Sequence, residues 1–144
     1  ILSHQIHRWI ENSPNKKKID SVTGANAWII GYISDKTKNN EDVFQKDLEK
    51  NFEITRSTAS KVVNLMVEKG MVERQSVPWD ARLKKLILTD KGREIDELML
   101  EDFSVVEETL SKGFSEQELE QFFDYMHRMH QNMKDGFCNI GLKK

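Results

Sequence analysis

The run Asp80-Ala81-Arg82-Leu83-Lys84-Lys85-Leu86-Ile87-Leu88-Thr89-Asp90-Lys91-Gly92 constrains the fold more than any other part of this sequence. It begins as a charged turn tip, continues as a strand, and ends where Thr89 can cap a new helix. Upstream, Thr55 to Gly70 has the polar cap, apolar spacing and closing glycine of a helix, and Val72 to Val77 reads as the outgoing strand of the same hairpin. Pro78 pre-sets the turn between the strands. The order helix, hairpin, helix sets a basic two-stranded tip beside a polar helix, a shape suited to the grooves of DNA.

The rest of the chain reads as helices. Leu2, Ile6, Trp9 and Ile10 recur at helical spacing, so residues 1–12 form a first helix that ends in the Asn12-Ser13-Pro14-Asn15 turn signal. Lys16 to Lys18 read as a solvated loop. Thr23 caps a second helix through about Lys38, with Ala27, Ile30 and Ile33 as buried candidates, and Asn39-Asn40 ends it. Residues 43–51 read as a short helix using Val43, Phe44, Leu48 and Phe52, and Phe52-Glu53-Ile54 turns the chain toward Thr55. After the hairpin, Ile95, Leu98, Met99, Phe103, Val106 and Leu110 form a stripe longer than a small lone domain needs. Ser115 and Glu118 then form a capping box for a last helix, with Leu119, Phe122, Phe123, Met126, His130, Met133 and Phe137 on one face. The expected fold is mainly α with a small β wing, a winged helix-turn-helix plus terminal dimerisation helices. Residues 1–144 are read as one domain, with a DNA-binding lobe over 23–92 and a helical dimerisation region over 1–22 and 93–144.

Charge is distributed to match. The 144 residues carry a formal net charge of −2, yet residues 55–92 hold 8 basic and 4 acidic groups while residues 93–144 hold 6 and 12. The positive excess falls on the proposed DNA-reading unit, and the acidic final third is expected to face away from phosphate. No run approaches the ~18 apolar residues of a membrane span, and the N-terminus lacks a signal-peptide layout, so a cytoplasmic protein is expected. The single cysteine, Cys138, excludes an internal disulfide and reads as a passive thiol.

Within the 55–70 helix, Ala59, Val62, Val63 and Met66 define a buried face at i, i+3, i+4 and i+7. Ser57, Ser60, Lys61 and Asn64 then occupy the opposite one, with Arg56 and Thr58 at its flank. Hydroxyl and amide groups suit base edges, and cations suit phosphate or guanine. Thr55 as N-cap leaves backbone N–H groups available to phosphate. An ordinary solvated helix face would look similar, but the hairpin that follows favours DNA. On the wing, Arg82 is the candidate for a narrow minor groove, with Asp80 orienting Arg82 or the turn backbone. Arg74, Lys84 and Lys85 are read as phosphate attractors, and Trp79 as packing on the wing base in preference to lying against the DNA backbone.

The pattern D-x-R followed by L-T-x-x-G, carried by Asp80, Arg82, Leu88, Thr89 and Gly92, closely resembles the MarR family of bacterial transcription regulators, and the likeness extends over nearly the whole chain. The sequence departs from the family at Ala81, where many relatives have a basic residue, and at Glu53, where a small or neutral one is frequent. The resemblance implies a homodimer, most often a repressor, on a pseudo-palindromic operator of double-stranded DNA. It also implies pairing of Asp80 with Arg82, dimerisation through the terminal helices, and a small phenolic or amphipathic effector in a cleft beside them. Trp9, Trp28 and Met99 are candidates to line that cleft and equally good core residues. Some relatives sense oxidants through a thiol in the first helix, and this first helix has none.

The histidines form two H-x-x-H pairs, His4 with His7 and His127 with His130. Each pair shares a helix face, but no acidic or cysteine ligand accompanies it at a recognised spacing, so no metal or other cofactor is expected. No nucleophile elbow, phosphate-binding loop or zinc-protease motif occurs, which argues against an enzyme. Two other readings remain open: a metal-responsive regulator of the same fold, and a winged-helix protein-interaction module, whose reading helix would be apolar or acidic.

Overall fold

The computed structural model describes residues 1–19 and 27–139. The expected cap at Thr23 lies outside them, as do the side chains of Phe137 and Cys138. Two compact units are present, Ile1–Ser104 and the residues from Val105 onward.

The first unit contains α1 (Leu2–Glu11), α2 (Lys16–Ile19), α3 (Ala27–Lys38), β1 (Val43–Phe44), α4 (Gln45–Asn51), α5 (Arg56–Glu68), β2 (Val72–Val77), β3 (Asp80–Leu88) and most of α6 (Asp90–Ser111). The strands form one antiparallel sheet in the order β1-β3-β2. Two local readings needed correction. Lys16 to Lys18 are helical rather than looped, because the carbonyl of Asn15 accepts from the amides of Lys18 and Ile19. Val43 and Phe44 are not helical but pair with Leu86 and Lys85, so they form the third strand.

The core collects Ile29, Ile30 and Ile33 of α3, Leu48 of α4, Val63 and Met66 of α5, Met71, Leu86 and Leu88 around the sheet, and Ile95 and Met99 of α6. Trp28 packs against Phe52 with ring centroids 3.8 Å apart and planes tilted by 48°, and Tyr32 meets the same ring edge-on at 5.4 Å. This aromatic cluster braces the turn between α4 and α5. Glu53 within that turn has φ of 50°, a left-handed conformation that costs a side-chain-bearing residue about 1 kcal/mol. The departure from the family pattern at Glu53 therefore falls on a strained position.

The α5–β2 and β3–α6 junctions are tied together. At the end of α5, Gly70 adopts φ of 70°, its amide reaches Val67 O, and Met71 N reaches Met66 O at 2.9 Å, which closes the helix as a Schellman motif. Thr89 caps α6 by accepting from Gly92 N at 3.1 Å, while its hydroxyl donates to Gly70 O at 2.7 Å and its amide to Met71 O at 3.0 Å. Gly92 is required by space: a Cβ there would lie 2.2 Å from Met71 O. The L-T-x-x-G pattern thus joins both ends of the hairpin to both flanking helices.

Two buried carboxylates fix α6 to the elements before the sheet. Asp102 accepts from Ser13 Oγ at 2.6 Å and from Asn15 Nδ2 at 3.0 Å. Asp96 accepts from Ser34 Oγ, with Lys38 Nζ 3.6 Å away. Both carboxylates are satisfied, as buried charges must be.

The second unit holds the end of α6 and α7 (Glu116–Asn139). Ser115 and Glu118 form the expected capping box: the Ser115 amide donates to Glu118 Oε2 at 2.7 Å and the Glu118 amide to Ser115 Oγ at 3.3 Å. Phe122, Phe123, Met126, Met129 and Met133 of α7 are all exposed.

Candidate nucleic-acid interface

The helix-turn-helix consists of α4 and α5. Ala59, Val63 and Met66 are buried and Val62 is half-buried, so the inward face of α5 is the one its spacing predicts. Arg56, Ser57, Thr58, Lys61 and Asn64 are exposed, whereas Ser60 is only partly so. Thr55 is the N-cap, its hydroxyl accepting from Thr58 N at 3.2 Å and lying 3.0 Å from the Thr58 hydroxyl. That leaves Arg56, Ser57, Lys61 and Asn64 as the accessible functional groups of the helix.

Among the described residues, the side chains of Arg56, Lys61 and Arg82 make no hydrogen bond or ion pair. The three other candidate cations, Arg74, Lys84 and Lys85, are engaged. Arg74 Nη2 donates to Asn64 Oδ1, Lys84 donates to Ser76 Oγ across the hairpin, and Lys85 pairs with Asp42 at 2.9 Å. Asp80 Oδ1 accepts from the Arg82 amide at 2.9 Å, so of its two expected roles it takes the one on the turn backbone rather than on the guanidinium. Trp79 does not pack on the wing base. Val77 and Asp80 pair across a turn made of Pro78 and Trp79, which holds the indole outward, 68% exposed.

A cavity of about 470 Å³ lies elsewhere in the same unit, lined by His7, Glu11, Lys16, Ile19, Met99 and Asp102 among others. Of the three residues expected at an effector cleft, only Met99 lines it. Trp28 belongs to the aromatic cluster on Phe52, and Trp9 sits half-buried on α1 without lining the cavity. The polar wall supplied by α1 and α2 had no local signal, because it exists only where these helices meet α6. Among the described residues, no three histidine, cysteine, aspartate or glutamate side chains gather as metal ligands, and no helix is long and apolar enough to cross a membrane.

A three-stranded wing, a helix-turn-helix and an exposed polar helix face define a winged helix-turn-helix transcription regulator rather than an enzyme. Residues 21–83 match the model of the MarR family. The chain is 30% identical over 96 residues to the uncharacterized HTH-type transcriptional regulator YdgJ of Bacillus subtilis, covering 66% of this chain and 58% of that protein's length. It is similar to the transcription regulator MarR from Oenococcus oeni, with 28% identity, a TM-score of 0.67 and coverage of 90% and 92% of the two chains. It is also similar to Streptococcus pneumoniae FabT, whose structure contains DNA, with 25% identity, a TM-score of 0.69 and coverage of 88% and 82%. Over residues 21–83 the chain thus matches the MarR family of transcription regulators, and it is similar to a member of that family over most of its length.

Proposed function

We propose that the protein is a homodimeric repressor of a pseudo-palindromic operator, with α5 in the major groove and the wing in the adjacent minor groove. The observation that carries this reading is the exposed face of Arg56, Ser57, Lys61 and Asn64, set beside a hairpin whose Arg82 has no protein partner. Ser57 and Asn64 offer hydrogen-bonding groups to base edges, Arg56 and Lys61 offer charge to phosphate or guanine, and Arg82 suits the negative potential of a narrow minor groove.

Dimerisation is supported by the exposed Phe122, Phe123, Met126, Met129 and Met133 of α7, an apolar face that a monomer would leave in water. Two recognition helices would then reach half-sites about 34–36 Å apart. The cavity beside α6 offers room for a small amphipathic effector, with Lys16 and His7 as polar contacts and Met99 and Ile19 as apolar ones. Selection of duplexes from a random library, followed by titration at several salt concentrations and sedimentation of the free protein, tests the proposal. A palindromic consensus, a steep salt dependence and a stable dimer are expected. A monomer at micromolar concentration, or binding indifferent to sequence, would contradict it.

A further inference from the structure

The exposed large hydrophobic side chains are unevenly distributed. Among the described residues they occur at Ile1 and Leu2, and from Leu100 through α7; between these stretches Trp79 stands alone. Those from Leu100 onward accompany the stripes expected to meet a second subunit. Trp79 instead occupies the tip of the β2–β3 hairpin, three residues before Arg82 and five before Lys84 in the charged part of the wing.

An indole at such a tip leaves much apolar surface in water, and the fold offers it no cover, since its neighbours Pro78 and Asp80 are exposed as well. The turn is also fixed. Pairing of Val77 with Asp80, burial of Val77 and the bond from the Arg82 amide to Asp80 hold the backbone on both sides of Trp79. An arm that carries a flat apolar ring, with an unpartnered guanidinium set out of the strand ladder by the register shift between Ser76 and Val77, matches the minor groove, whose deoxyribose walls are apolar and whose floor and edges are negative.

We propose that Trp79 is a DNA-contact residue, its indole lying against the deoxyribose wall of the minor groove beside Arg82. Arg82 contributes the electrostatic part of wing binding and Trp79 an apolar part that does not depend on salt. This rests on the DNA-binding reading above. A docking site for a protein partner on Trp79 is the competing use of the same exposed ring.

The test uses the full chain and a duplex selected by the parent protein. Affinities are measured across a salt series for the parent, Trp79→Ala, Trp79→Phe and Lys84→Ala. Trp79→Ala is expected to bind about tenfold more weakly at every salt concentration, with the slope of log K against log[salt] unchanged, because no counterion is involved. Trp79→Phe should lose less than about threefold, since a flat apolar ring remains. Lys84→Ala should instead lower the slope, by about one if it meets a phosphate. The tryptophan emission of the parent should change on adding duplex, and that change should vanish in Trp79→Phe, which keeps Trp9 and Trp28. Circular dichroism checks that the variants fold.

Parent-like affinity of Trp79→Ala throughout the series, or an unchanged emission response in Trp79→Phe, overturns the proposal and leaves the protein-partner use. Failure of the parent to bind any duplex overturns the DNA-binding reading and this proposal with it.

Discussion

Arg74 Nη2 donates a 2.7 Å hydrogen bond to Asn64 Oδ1, linking the outgoing wing strand to the exposed face of α5. A guanidinium has only donors, so the amide oxygen of Asn64 must face Arg74 and its NH2 group must face away. The Asn64 NH2 group is thereby turned outward, where on the proposed DNA-binding reading it would donate to a base-edge acceptor and Arg74 would position it.

Asn64 and Arg74 should therefore act on the same base. Replacing Arg74 with Ala is expected to relax preference at the position read by Asn64, at about 1–3 kcal/mol of discrimination, with little change in salt slope. Asn64→Asp keeps the acceptor for Arg74 but loses the donor, so it should alter the preferred base while the fold persists. Library selection with each variant decides this. A salt slope reduced by about one in Arg74→Ala, with the consensus intact, would instead identify a phosphate contact.

The bond between Asp80 and the Arg82 amide separates charge from geometry at the wing. Asp80→Ala removes a negative charge near DNA, yet it is expected to weaken operator binding because the turn carrying Arg82 loses its cap. Asp80→Asn retains an oxygen acceptor and should bind at least as well as the parent. Arg82→Ala is expected to cost more than Lys85→Ala, because Lys85 already pairs with Asp42 while Arg82 has no protein partner. Titration of one operator at fixed salt ranks the four variants; tighter binding by Asp80→Ala would refute the capping role.

Acid should loosen the start of α7. The Ser115 amide, and then its hydroxyl, hold the Glu118 carboxyl below its ordinary value of 4.5. The contribution of this capping box is fully present above about pH 4.5 and is lost as pH falls through the lower folded-state value. Amide exchange at residues 116–119 should rise across that window. Glu118→Gln can still accept from the Ser115 amide but has no carboxyl to protonate, so its exchange should lack this pH-dependent step.

The clasp at Asp102 is expected to contribute to stability. Asp102→Ala leaves Ser13 Oγ without its acceptor, while Asn15 Nδ2 keeps Leu98 O and Glu101 Oε2, and should lower unfolding free energy by about 1–3 kcal/mol. Asn at position 102 should cost less, because one carbonyl oxygen remains. Urea denaturation of the two variants gives the comparison, and equal stability of the Ala variant and the parent would show that water replaces the clasp.

Features governed by neighbouring residues were legible in the sequence. Thr55 and Thr89 as caps, the Ser115–Glu118 box, the buried face of α5 and the hairpin strands all follow from spacing and short-range hydrogen bonding. What escaped depends on distant partners. β1 is two residues long and is a strand only because β3 lies beside it, and Lys85 finds Asp42 43 residues away. The helical turn at Lys16 is continuous with an Asn15 anchored to Asp102, and the cavity wall exists only where α1 and α2 meet α6. Packing of Trp79 on the wing base, the preferred of its two readings, fails for a different reason: large apolar residues usually find cover, and the turn leaves this one without it.

The close approach of Gly92 to Met71 and the bonds of Thr89 to Gly70 and Met71 tie the base of β3 to both flanking helices, and β1 grips the strand at Leu86 and Lys85. The outer wing is therefore a lever whose fulcrum lies where β1 ends, beyond the buried Leu86 and Leu88. Residues 80–84 give an arm of roughly 17 Å, and a tilt of about 10° there carries the tip through roughly 3 Å. That displacement is comparable to a hydrogen-bond length, enough to unseat a side chain from a narrow groove while the core beneath keeps its packing.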